Sequence, residues 1–334
     1  MEVVATAAAP ALDIQYLLFL QNFRNSINDG LTPFMESISL FAVTYLIMIP
    51  VLFYWLLSKR DGLYTLLSYY LTCGINAIVK LTVCAYRPWI RDARVLPAGD
   101  AISTATGYSF PSGHTVTATP IYGGLALTNW KRAKWFSILC LLLALITGFS
   151  RNYLGVHTPQ DVIVGMCESI LALWAMSKLF HWLEQRPEKE DILLAACFIF
   201  GWLGIAYITF KPYPMDYVDG NLLVDPKKMM VDGYGDIALL ISFPVARYIE
   251  KRWVRFEATG INTRGVIVCA VGMAILWAML TYMKAPLGDA LGKCWGHFVN
   301  NTIVVLYCIT LFPLVIRLCC GKGDQDGNTA SVEE

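Results

Sequence analysis

The chain has 334 residues, of which 56% are hydrophobic and only 15% charged, and its formal net charge is +1. That composition is too apolar for an ordinary soluble protein. With no basic stripe of interleaved aromatics, it also excludes nucleic acid as a partner. Several apolar runs reach the roughly 17–25 residues a helix needs to cross a bilayer, so the expected fold is an all-α polytopic membrane bundle.

Taken in order, residues 1–38 read as an N-terminal interfacial segment, because apolar and polar residues mix there and Asp29-Gly30 interrupts them. The start lacks a basic, cleavable leader, so the first span is expected to direct insertion. Spans are expected near 39–57, 63–84, 110–129, 135–149 and 159–180, then near 192–210, 236–249, 266–283 and 298–316. That makes about nine transmembrane helices. The short 236–249 run contains Pro244 and follows a long polar connection over 211–235. The expected organisation is a membrane core at 39–185, further membrane helices at 186–318 and a polar cytoplasmic tail at 319–334. Trp130, Trp135, Trp182, Trp253 and Trp295 fall at span boundaries, as an aromatic belt requires.

With nine spans, one side of the membrane receives 15 Lys and Arg and the other 8, leaving aside Lys80, Arg87 and Arg151. The richer side is expected to be cytoplasmic. The mouths of spans two to five then face the extracytoplasmic side. Most of the ten cysteines lie in apolar runs and read as small buried hydrophobes, while Cys319 and Cys320 are candidates for acylation.

Three stretches carry ionisable residues to that extracytoplasmic side: Lys80–Pro88, Pro111–His114 and Ser150–Asp161. Lys80 and Arg87 are seven apart, which on a continuous helix puts them on one face. A lysine inside an apolar span needs an anion, and spans one to four offer no acid beyond Glu36 at an edge. A phosphate would supply that charge, held by forked guanidinium donors from Arg87 and Arg151. Ser112 and Gly113 stand at a helix start, where free amides and the dipole favour an anion. Thr158-Pro159 marks another helix start. His157 and Asp161 there form either a satisfied cap or an oriented imidazole–carboxylate pair.

Lys80-x6-Arg87-Pro88, Pro111-Ser112-Gly113-His114 and Ser150-Arg151-x5-His157-x3-Asp161 resemble the three signatures of the type 2 phosphatidic acid phosphatase superfamily. The resemblance covers about 36–180 and leaves the later spans outside it. It implies a phosphohistidine mechanism. His157 would be the nucleophile, Asp161 its orienting carboxylate and His114 the general acid and base. Lys80, Arg87, Ser112, Gly113 and Arg151 would bind the phosphoryl oxygens.

No cofactor is implied and no metal, since no Asp, Glu or Cys cluster near the motifs has ligand spacing. The expected substrate is a phosphorylated lipid in the bilayer, either a phosphate monoester or an isoprenyl diphosphate. A soluble sugar phosphate, or binding or transport without turnover, are the other readings. His181 and His297 read as structural, the sequon at Asn300 as buried in a membrane mouth, and the aspartates of 216–236 as a solvated loop. Arg91 and Arg94 are either contacts to a headgroup or a second phosphate, or simply interfacial.

Overall fold

A computed structural model describes residues 11–105, 107–218 and 220–320. Asp219 and the tail beyond Cys320 lie outside them. The described residues are mostly helix, with one short antiparallel hairpin pairing Tyr217–Val218 with Asn221–Leu222. Helix α1 is Leu12–Ser26, α2 Thr32–Thr44, α3 Met48–Leu57, α4 Lys59–Val83 and α5 Pro88–Arg91. Helix α6 is Gly113–Asn129, α7 Lys134–Tyr153, α8 Pro159–Gln185, α9 Glu190–Phe210 and α10 Pro226–Ile249. The last four are α11 Thr263–Tyr282, α12 Lys284–Leu291, α13 Lys293–Leu306 and α14 Phe312–Cys320.

Among the described residues, seven stretches are long and apolar enough to cross a membrane, and α2 with α3, bent by 47°, makes an eighth. The expected third span is α6, which is different in kind. It has 17 residues, and every one from His114 to Ala126 is buried. At ~1.5 Å per residue it is about 25 Å long, a strut enclosed by α4, α7 and α8 rather than a lipid-facing rod. Enclosure explains how it tolerates Thr115, Thr117 and Thr119. The lipid-facing role falls to exposed apolar residues such as Trp135, Leu145, Leu171, Trp174 and Leu203. Cys167 is exposed on α8, so it is not one of the buried cysteines.

Two sequence boundaries shift. The 211–235 connection is not all loop, because α10 starts at Pro226 with the Asp225 side chain accepting from Lys227 N at 2.9 Å. Pro suits that first turn. The resulting helix continues through a wide turn to Val254, so the seventh span is amply long. The first span, expected as one run over 39–57, is instead broken between α2 and α3.

Small residues set how closely the motif-bearing helices approach. A β-carbon on Gly165 of α8 would stand 3.3 Å from Thr115 Cβ and 3.4 Å from Ser112 O of α6. Only hydrogen at that position lets the two helix mouths come this near. The Ser112 amide then donates to Asp161 O at 3.0 Å, which joins the second and third motifs directly.

At the opposite end of α4, Lys59 and Arg247 pair with the fully buried Glu250, and Arg247 and Lys251 with Glu190. Over 25 residues of α4, at ~1.5 Å each, this ionic belt stands about 37 Å from the motifs.

Candidate active site

The first motif is a helix end followed by a reversal. Lys80 sits in the last turn of α4, and its carbonyl accepts from Cys84 N at 3.0 Å. Cys84 takes a left-handed conformation with φ 53°, and the chain turns back there. Arg87 follows in extended backbone, as a residue before proline prefers. Lys80 and Arg87 therefore do not share a helical face; the turn brings them together instead. Arg87 is anchored by donating Nε to Gly107 O at 2.8 Å and Nη1 to Val156 O at 2.9 Å. Lys80 Nζ lies 3.7 Å from where a β-carbon on Gly113 would stand, which puts it against the second motif.

In the second motif Ser112 caps α6. Its Oγ accepts from Thr115 N at 3.4 Å and Thr115 Oγ1 at 3.0 Å, leaving its own proton to donate. The first amides of α6 have no carbonyl partner within the helix. His114 is 6% exposed, and its Nε2 has no hydrogen-bond partner.

The third motif holds the imidazole. His157 is 1% exposed. Its Nε2 is 2.8 Å from Arg87 Nη1, and its Nδ1 3.3 Å from Asp161 Oδ2. An arginine can only donate, so Nε2 is the bare acceptor and Nδ1 carries the proton toward the carboxylate. Burial, reinforced by Arg87, Arg151 and Lys80, holds the His157 pKa well below the ordinary histidine value.

The two readings of Asp161 are both realised by one oxygen. Oδ2 accepts from Thr158 N at 2.8 Å as half of a capping box, while also facing His157 Nδ1. Asn152 Nδ2 holds His157 O at 2.9 Å.

Arg151 is 1% exposed and donates Nη1 to Ser39 Oγ on α2. Its Nε and Nη2 are buried without partners. Two orphaned guanidinium nitrogens, with three N–H bonds between them, are costly unless an anion meets them. His114, His157, Arg87, Arg151 and Lys80 stand within electrostatic reach of one another. All eight residues singled out from the sequence thus gather at one end of the bundle. Among the described residues, no three His, Cys, Asp or Glu side chains form a metal-ligand group.

Several supporting residues carry no sequence signal of their own. Ser109 donates to Asp161 Oδ2, Ser39 steadies Arg151, and buried Arg24 of α1 donates to Tyr153 O at 3.2 Å and Leu96 O at 2.8 Å. The last of these docks α1 onto the loop between motifs. Arg91 instead pairs with Asp13 at 2.7 Å and Arg94 with Asp92, away from the cup.

The cup is one end of a cavity of about 460 Å³ whose walls include Lys80, Arg87, Gly113, His114 and His157. Leu40, Val43 and Ile47, at the α2–α3 break, and Leu280 of α11 give it an apolar flank. A separate apolar groove of about 700 Å³ between α4, α8, α9 and α10 contains no motif residue.

Fold and site together define a multi-pass helical membrane protein with a buried cationic cup at one end of its bundle. Over residues 61–185, which contain all three motifs, the chain matches the PAP2 superfamily model. Among curated relatives, it is 32% identical over 122 residues to an undecaprenyl-diphosphatase of Sulfolobus acidocaldarius, covering 36% of this chain and 56% of that one. It is 29% identical over 172 residues to phosphatidylglycerophosphatase B of Bacillus subtilis, covering 49% and 79%. It is 25% identical over 214 residues to lipid phosphate phosphatase delta of Arabidopsis thaliana, covering 60% and 49%. The chain thus spans between about half and four fifths of the length of these relatives. No solved structure matches it.

Proposed function

We propose that the protein is an integral membrane phosphatase that hydrolyses lipid phosphate monoesters or isoprenyl diphosphates through a phosphohistidine, with no metal. The observation that carries this is the environment of His157 Nε2. A bare lone pair with its tautomer set by Asp161 lies beside Arg87 and near Arg151, two of whose nitrogens lack partners. A site that only bound phosphate needs the cations but not an oriented nucleophile.

In the first step phosphate oxygens take over the Arg87 contact and Nε2 attacks phosphorus in line. The N–P bond forms as the ester P–O bond breaks, and His114 gives its proton to the departing alkoxide. Asp161 stabilises the positive charge growing on the ring. Lys80, Arg87, Arg151, Ser112 and the first α6 amides hold the three equatorial oxygens, doing electrostatically what a divalent ion does elsewhere. Water, deprotonated by His114, then cleaves the N–P bond and releases inorganic phosphate.

The apolar flank at Leu40, Val43 and Ile47 favours a substrate with its tail in lipid over a soluble sugar phosphate. The undecaprenyl and phosphatidylglycerophosphate activities named for the relatives fall in the same amphiphilic class. The Lys and Arg bias, counted on nine spans, supports a site on the extracytoplasmic side. In EDTA, purified protein is expected to release phosphate from phosphatidate or phosphatidylglycerophosphate micelles, and His157→Ala is expected to abolish release. Release from glucose 6-phosphate alone would favour the sugar-phosphate reading. Binding of phosphate without any release would favour a non-catalytic protein.

A further inference from the structure

The cavity has a second half that the motifs do not build. Across from the cup its wall comes from the C-terminal helices: Asp232 and Asp236 of α10, Lys284 of α12, and His297, Asn300 and Asn301 of α13. Apart from the exposed Lys284, these groups present acceptors. His297 Nδ1 is 3.1 Å from Val231 O, a carbonyl that can only accept, so the ring proton is on Nδ1 and Nε2 is a bare acceptor. Asn300 donates Nδ2 to Asn301 Oδ1 at 3.0 Å, and Asn301 donates Nδ2 to Gly235 O at 2.9 Å. That chain fixes both amides and leaves Asn300 Oδ1 without a partner, on a residue only 6% exposed. Asp236 lies within electrostatic reach of Lys80 on the cup side and of Lys284 and Asp232 on its own. It therefore stands where the two halves meet.

A wall made mostly of acceptors, with Asn300 Oδ1 buried and unpartnered among them, calls for donors. A second phosphate has none when ionised and would face two carboxylates. An ammonium would sit beside Lys80 and Lys284. Neutral hydroxyls satisfy carboxylate, amide oxygen and imidazole lone pair alike, without either repulsion. We propose that this half, centred on Asp236, His297 and Asn300, binds hydroxyl groups on the alcohol portion of the substrate, next to the scissile phosphate. The substrate class is then a hydroxyl-bearing phosphomonoester rather than an isoprenyl diphosphate. This rests on the phosphatase reading, and narrows it.

The test uses a matched pair, lysophosphatidate and its 2-deoxy analogue, which differ by one hydroxyl beside the phosphate ester. The parent protein in detergent is expected to hydrolyse the hydroxylated member with about tenfold higher kcat/KM, the scale of one net hydrogen bond. Asp236→Asn and Asn300→Leu are each expected to bring that ratio toward one, with thermal unfolding followed for both variants. A parent ratio near one, or a ratio left unchanged in both variants, overturns the proposal. Release of phosphate from neither substrate and from no other lipid phosphate would instead strike at the phosphatase reading itself.

Discussion

Arg87 Nη1 stands 2.8 Å from His157 Nε2, so the guanidinium covers the lone pair that is to attack phosphorus. The same nitrogen donates to Val156 O and Nε to Gly107 O, which leaves the side chain little freedom. A phosphoryl group entering the cup meets a donor already placed beside the nucleophile. Arg87→Lys keeps the charge but loses the fork and frees two buried carbonyls. The expected loss in kcat/KM is about 10²–10³-fold, measured as phosphate release from a lipid phosphate; a loss under threefold would remove Arg87 from the cup.

Asp161 both caps α8 and faces the imidazole, and one substitution separates the two jobs. Asp161→Asn retains an acceptor for Thr158 N, so the melting temperature is expected to change little. The same amide oxygen still faces Nδ1 but carries no charge to stabilise the growing imidazolium, so kcat is expected to fall by about 10²–10³. Equal and small changes in both quantities would make Asp161 a cap alone. Ser109→Ala, which removes a donor to the same oxygen, is expected to show a smaller loss, about tenfold.

The depressed pKa of His157 has a sign that stability measurements can read. Unfolded, the ring protonates at the ordinary value of about 6.5. Folded, it stays neutral to lower pH, because burial and then the neighbouring cations oppose the charge. The unfolded chain therefore binds more protons below about pH 6.5, and stability falls as pH drops through that value. His157→Gln is expected to flatten this dependence between pH 7 and 5, followed by thermal unfolding in detergent. An unchanged slope would mean that the ring titrates normally.

Arg24 ties α1 to the core by donating to Tyr153 O and Leu96 O from a position only 4% exposed. Arg24→Ala leaves both carbonyls without that donor, and the expected cost is about 2–3 kcal/mol of stability. If α1 merely floated in the interface, the substitution would be silent in thermal unfolding.

How much of this was legible follows from what kind of signal each part leaves. Apolar runs announce spans, and Thr158-Pro159 announces α8, because hydropathy and capping act within a few residues. The eight motif residues were legible as a group since their chemistry is costly in an apolar chain. Local rules misplaced Arg87, because the left-handed turn at Cys84 replaces the helix that the seven-residue spacing implied. They also misjudged Pro226, whose helix begins in polar residues that face the cavity mouth rather than lipid. His297, Asn300 and Asp236 read as bland because nothing near them in sequence is unusual. Their company comes only from the packing of α10 against α4 and of α13 against α10, which no local period encodes.

The central claim is a phosphoryl group carried on His157 Nε2, and trapping it is the most direct measurement. Protein turning over a lipid phosphate would be quenched rapidly in alkali, where phosphohistidine survives, digested and sequenced by mass spectrometry. The account predicts an acid-labile phosphoryl group on His157 alone, absent from His157→Gln, whose turnover is lost. A phosphoryl group on another residue, or sustained phosphate release by His157→Gln, would contradict it.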